Sequence, residues 1–188
     1  MNKLKDKKII LFNGPPKSGK DFGAQYVEAN FEGAILNKFA KVLKERTHAL
    51  YGFHWRTHDY YEDCKNDSHK DFLGLSPRQA YINVSETYFK PTHGEKVFGI
   101  LLAQELDKSE WDLVAISDSG FKGEAEVLID KYGAENITLI RVHREGCDFS
   151  KDSRSHIVLP VKTFDIRNHG DDSYIFALHK IVHDIYNV

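Results

Sequence analysis

Residues 14–20 read Gly-Pro-Pro-Lys-Ser-Gly-Lys and follow directly on the apolar run Ile9-Ile10-Leu11-Phe12. That run has the length of a buried strand, and Lys20 to Phe31 has the make-up of a helix. The segment between them matches GxxxxGK. Its glycines let backbone N–H groups curl around phosphate oxygens, and the helix N-terminus adds a favourable dipole. The lysine reaches the terminal phosphates of a nucleotide. A Gly/Pro turn ahead of an ordinary helix is the plain alternative, and the strand–loop–helix context weighs against it.

Two further apolar runs, Leu113–Ile116 and Ile137–Val142, read as buried strands, with weaker ones at Ala34–Leu36 and Thr163–Ile166. Continuous apolar character suits a parallel sheet covered on both faces. Helical patterns fall between them: Lys38–Tyr51, a segment opened by Ser76-Pro77, Glu95–Leu106, Glu124–Tyr132 ending at Gly133, and a last helix capped by Asp172 or Ser173. The expected fold class is α/β, a three-layer doubly wound parallel sheet of about five strands, of P-loop kinase type with a small lid. No repeat or linker divides residues 1–188, which we read as one domain. Within it, residues 52–93 are expected to form an acceptor-binding insertion above the carboxyl ends of the strands, and residues 144–159 a lid-like loop.

Composition narrows the function. A formal net charge of −2 is unlike the basic excess of a nucleic-acid-coating protein. No apolar run approaches the roughly 18 residues of a membrane span. The basic N-terminus lacks the apolar length and cleavage site of a signal peptide, so a cytoplasmic protein is expected. Cys64 and Cys147 form no CxxC pair. His54, His58, Cys64 and His69 fit no common zinc spacing, and His179 and His183 lack a third ligand. The expected partner is a small-molecule nucleotide, with neither nucleic acid nor membrane, and a homodimer is left open.

Several residues are candidates for phosphoryl-transfer chemistry, which needs cations on the migrating group more than covalent help. Lys20 is the first. Asp21 stands where a Ser or Thr hydroxyl usually touches Mg²⁺; it is either a metal-shell carboxylate or a first-turn acid favoured by the helix dipole. Asp118, at the end of the Leu113–Ile116 strand, is a candidate for holding Mg²⁺ and orienting the acceptor, or else a cap. Arg144 and Arg154 belong to the expected lid and would bind ATP phosphates. Lys38 and Arg78 are the acceptor-side cations singled out, with Trp55, Tyr60, Tyr61, Phe72, Tyr81 and Tyr88 as aromatics that could stack on a base.

The chain also resembles phage-type deoxynucleoside monophosphate kinases and, in the same superfamily, animal-type phosphomevalonate kinases. The resemblance rests chiefly on Leu11-Phe12-Asn13-Gly14 and Lys17-Ser18-Gly19-Lys20-Asp21-Phe22. It extends to Phe39-Ala40 with Leu43-Lys44, to Ser76-Pro77-Arg78-Gln79, to Asp118-Ser119-Gly120-Phe121 with Glu124-Ala125, and to Phe164-Asp165-Ile166-Arg167-Asn168-His169-Gly170. Asp after the lysine is typical of that group, whereas Gly120 stands where related kinases often carry arginine. The resemblance implies ATP and Mg²⁺ as cofactors. It places Gly14, Lys17, Ser18, Gly19, Lys20, Asp21 and Phe22 at ATP, Asp118 at the reaction centre and Arg144 in the lid. The implied activity is transfer of the γ-phosphoryl group to a deoxynucleoside monophosphate, in the host cytoplasm if the protein is phage-encoded. A phosphomevalonate-type kinase and a non-catalytic nucleotide-binding protein are the alternatives.

Overall fold

Five apolar segments form one sheet. They are β1 (Lys8–Asn13), β2 (Ala34–Asn37), β3 (Leu113–Ile116), β4 (Ile137–His143) and β5 (Lys162–Arg167). The computed structural model describes residues 7–150, 152 and 154–186. The basic residues 1–6, Lys151 and Ser153 of the lid-like loop, and residues 187–188 lie outside them. Strand order is β2-β3-β1-β4-β5 and every pairing is parallel. The register sets Ile10 beside Ala115 on one side and Thr138 on the other.

Helices cover both faces: α1 (Lys20–Asn30) and α7 (Ser173–Tyr186) on one, α2 (Ala40–Leu50), α5 (Val97–Leu106) and α6 (Lys122–Tyr132) on the other. Alternation along β1 explains why its run is apolar throughout. Ile9 and Leu11 pack with Leu43, Leu102 and Leu128, whereas Ile10 and Phe12 pack with Val27, Leu178 and Val182. Each such side chain, fully buried, contributes roughly 2 kcal/mol. The architecture is the expected three-layer α/β sheet.

Because all strands run the same way, their carboxyl ends share one edge. Residues 14, 38, 117, 144 and 168 all leave the sheet there. The chain moves outward from β1 to β2, returns to β3, and then crosses to β4 and β5, so its direction reverses beside β1. That is where open α/β sheets bind ligands.

Three helix starts differ from the sequence reading, the simplest being α5, which begins at Val97 rather than Glu95. The second helix begins at Ala40 rather than Lys38, because Asn37 Oδ1 takes the Lys38 N–H (2.8 Å) and Asp118 takes those of Phe39 and Ala40. The sixth begins two residues early, at Lys122. The last helix begins at Ser173, where the sequence reading put it, and the side chain of Asp171 accepts the Ser173 N–H (3.1 Å).

Between α2 and the next helix, the chain makes turns around a small aromatic core of Tyr61, Phe72 and Ala80. Buried His48 anchors it from α2, its Nε2 lying 2.8 Å from the Tyr81 hydroxyl. A helical run follows: α3 (Pro77–Val84), a π turn at Ser85–Phe89, and α4 (Lys90–His93), ended by Gly94 at φ 86°. Ser76 caps α3 reciprocally with Gln79. The turns reach the carboxyl edge of the sheet, where Lys38 Nζ donates to Asp59 (3.0 Å) and Lys44 pairs with Glu62.

Candidate functional site

The loop after β1 is shaped as a cradle. Lys17 and Gly19 have φ of 65° and 100°, and Gly19 opens α1. A left-handed Lys17 is uncommon backbone for a residue with a Cβ, and here it keeps the loop curled. A Cβ on Gly14 would lie 2.7 Å from both Ser18 Oγ and the Val142 carbonyl. That hydroxyl of Ser18 is buried with no hydrogen-bond partner among the described residues. A buried polar atom in that condition costs free energy until a partner arrives, and an anion seated on the loop would supply one.

Lys20 is 7% exposed, and its Nζ donates to the Pro15 carbonyl (3.2 Å) and sits 3.8 Å from Asp21. Burial pulls its pKa down, with Asp21 acting the other way. Asp21 and Phe22 are both exposed at the first turn of α1. The loop is braced from behind by residues the sequence reading did not single out. Asn168 Nδ2 donates to the Ser18 carbonyl (2.9 Å), while its Oδ1 accepts from Gly170 N (2.9 Å). The Tyr174 hydroxyl donates to the Gly19 carbonyl (3.1 Å). Asn13 Nδ2 donates to the carbonyls of Ser119 (2.8 Å) and Ser155 (3.1 Å). Asn13 and Asn168 lie inside the stretches that carry the kinase resemblance, so a signal was present without a role attached.

Asp118 is a helix cap. Its Oδ1 accepts from Phe39 N (2.8 Å) and its Oδ2 from Ala40 N (2.9 Å), so it caps α2 rather than its own loop. Burial pushes its pKa up, against the two N–H groups and the nearby Lys44 and Lys38. Glu124, in the first turn of α6, is buried close to Asp118. Its burial, and then the Asp118 charge, push its pKa up to about 8.

Arg144 is exposed, with Nη1 3.5 Å from the Lys17 carbonyl. It walls a cleft of about 300 Å³ together with Gly19, Phe22, Asn168, Gly170 and Asp171. Arg154 is half-buried and pairs with Asp152 while acting electrostatically on Lys20. Gly14, Lys17, Ser18, Gly19, Lys20, Asp21, Phe22, Arg144, Arg154 and Asp118 therefore gather at one edge of the sheet.

The acceptor-side candidates are less free than their charges suggest. Lys38 bonds Asp59; burial lowers its pKa, but the carboxylates of Asp59, Asp21 and Glu62 outweigh that and the net shift is upward. Lys44 and Lys65 hold Glu62 down at about 2 against its burial. Arg56 pairs with Asp71. Arg78 is exposed, donates through Nε to Asn66 Oδ1 (2.9 Å), and acts electrostatically on Asp152. Of the aromatics, Tyr61 and Phe72 are core, whereas Trp55, Tyr60 and Tyr88 are exposed.

Among the described residues, no group of three or more His, Cys, Asp or Glu is arranged to hold a metal, and no helix is long and apolar enough to cross a membrane. A wider groove of about 720 Å³ lies at the opposite edge of the sheet, around Asn30, Gly33, Asp112, His179 and His183. It is away from the phosphate loop, and the convergent donors rather than the volume mark the site.

No family model matches this chain. No curated protein matches it either. Among solved structures, the unliganded crystal structure of a sugar kinase from Janibacter sp. HTCC2649 is similar over 95% of each chain, at 9% identity and a TM-score of 0.46.

Proposed function

We propose that this protein is an ATP-dependent kinase that transfers the γ-phosphoryl group to a small phosphorylated acceptor, a deoxynucleoside monophosphate. The observation that carries this reading is the preformed cradle: Lys17 and Gly19 curled into the left-handed region, Ser18 Oγ buried without a partner, and Lys20 turned into the loop. Such a loop at a helix N-terminus suits a polyphosphate. The residues fit Mg-ATP, with the loop on the phosphates and the Asp21 and Asp118 carboxylates as the metal-side oxygens. When bound, Mg-ATP supplies the phosphoryl group and a divalent charge between its terminal phosphates.

The bond from the β–γ bridging oxygen to the γ-phosphorus breaks, its electron pair leaves with ADP, and an acceptor phosphate oxygen bonds to the phosphorus. Lys20 and Arg144 stand on the donor side, where charge is neutralised. Arg78, exposed at the start of α3, is the cation assigned to the acceptor phosphate. The exposed rings of Trp55, Tyr60 and Tyr88 offer faces for a base. Phosphomevalonate, a small acid without a base, would leave those rings unused.

One observation favours a second reading, a protein that binds nucleotide without transferring phosphate. Both oxygens of Asp118 accept backbone N–H bonds from α2, which suits a structural cap. ADP release from Mg-ATP, with each deoxynucleoside monophosphate and with phosphomevalonate in turn, separates the readings. Turnover with a nucleotide supports the kinase, turnover with phosphomevalonate alone moves the acceptor, and ATP binding with no turnover supports the second reading.

A further inference from the structure

Arg154 and Gly120 occupy one space. A Cβ built on Gly120 would overlap Arg154 Cδ and lie 2.8 Å from its Cγ, so the arginine stem crosses the cleft through the gap that the glycine leaves. Gly120 itself is not in the left-handed region, and the requirement at this position is one of room rather than of backbone conformation. The same two segments are held in register from the end of β1. The single amide of Asn13 donates to Ser119 O, one residue before the glycine, and to Ser155 O, one residue after the arginine. Its Oδ1 accepts from Ile157 N (3.3 Å), extending the grip along the loop. Beyond the gap, the guanidinium is turned onto Asp152. Arg154 Nε donates to Asp152 Oδ1 (2.8 Å), Nη2 donates to Oδ2, and the Arg154 backbone N–H also reaches Oδ1 (3.0 Å). The bonds from Arg154 hold the Asp152 carboxyl down at about 2, and Arg78 adds to that from the acceptor side.

We propose that Gly120 and Asn13 are positioning residues that seat Arg154 beside the phosphate loop, and that the Asp152 carboxylate holds this arginine until a substrate phosphate takes its place. The proposal rests on the kinase reading for the identity of that phosphate. A planar guanidinium bonded to a carboxylate through two parallel N–H groups has the geometry that also suits a phosphate. Exchange of one anion for the other keeps Arg154 paired throughout. It also makes Asp152 an internal competitor: neutralising it tightens anion binding, chiefly through Arg154, with a smaller share from its field at Lys20. A side chain at position 120 displaces the arginine without touching the phosphate loop.

The test combines binding with turnover. Inorganic tripolyphosphate is titrated by calorimetry into the wild type, Asp152→Asn, Arg154→Ala, the double variant and Gly120→Ala, at one ionic strength. Asp152→Asn is expected to bind about fivefold more tightly, the scale of a partly exposed ion pair. In the Arg154→Ala background most of that gain disappears. Gly120→Ala matches Arg154→Ala in binding, and both lower ADP release by about 100-fold, the scale of losing one preorganised donor. An arginine moved to the other side of the gap, Gly120→Arg with Arg154→Gly, restores part of the turnover. Should Gly120→Ala fail to fold, the cycle of Asp152 and Arg154 decides alone. A gain from Asp152→Asn that persists undiminished without Arg154, or wild-type behaviour of folded Gly120→Ala, overturns the proposal. If the wild type transfers phosphate to no acceptor, the kinase reading falls, and the binding cycle still decides how Arg154 is held.

Discussion

Glu124 shows how a single side chain can set a pH dependence. Buried beside Asp118, it has a pKa near 8 in the folded protein, above its unfolded value of 4.5. The folded state therefore keeps a proton that the unfolded chain releases. Its contribution is fully present below about pH 4.5 and is lost as pH rises through about 8. Glu124→Gln removes the charge and keeps the shape, so it is expected to raise stability at pH 9 by on the order of a few kcal/mol and to change little at pH 4. Thermal unfolding of both proteins across that range checks this; parallel pH profiles would contradict it. Lys20 is the converse case, a cation held in a buried loop that lowers its pKa. A charge kept at such a cost is characteristic of functional sites.

At the scale of elements, the phosphate loop depends on its brace as much as on its own sequence. Asn168, at the end of β5, holds the Ser18 carbonyl, and a Cβ on Gly19 would overlap that same amide. Asn168→Ala is expected to cost about 1–3 kcal/mol of stability and to weaken ATP binding together with it. Unchanged ATP affinity by calorimetry would mean that the loop keeps its shape unaided. Ser76→Ala provides the contrast: it breaks the reciprocal cap of α3, should cost about 1 kcal/mol in thermal unfolding, and leaves ATP affinity unchanged. The strands, most helices and the loop after β1 were legible because their signals are local: apolar runs, N-caps and a glycine pattern. The partners were not. Asp118 takes its N–H bonds from Phe39 and Ala40 across a gap of 78–79 positions. Likewise, reading Lys38 as an acceptor-side cation overlooked the carboxylate of Asp59 that folds back onto it, as Glu62 and Asp71 fold onto Lys44 and Arg56. Ion pairing is a property of the tertiary arrangement, and charge along a sequence does not disclose it.

For the whole molecule, strand order β2-β3-β1-β4-β5 sends all five carboxyl ends to one edge and puts the reversal of chain direction beside the phosphate loop. The segments that differ most in character, the aromatic turns after α2 and the loop after β4, both reach that edge, one on each side of β1. On the proposed kinase reading, Lys20 and Arg144 form the donor side and Arg78 the acceptor side. The most direct measurement is ADP release from Mg-ATP with each of the four deoxynucleoside monophosphates, for the wild type and for Lys20→Ala. The account predicts turnover by the wild type with at least one nucleotide. In a folded Lys20→Ala protein, it predicts a loss of about 100-fold or more. Equal turnover by the two proteins, or none by the wild type with any acceptor while ATP still binds, would contradict it.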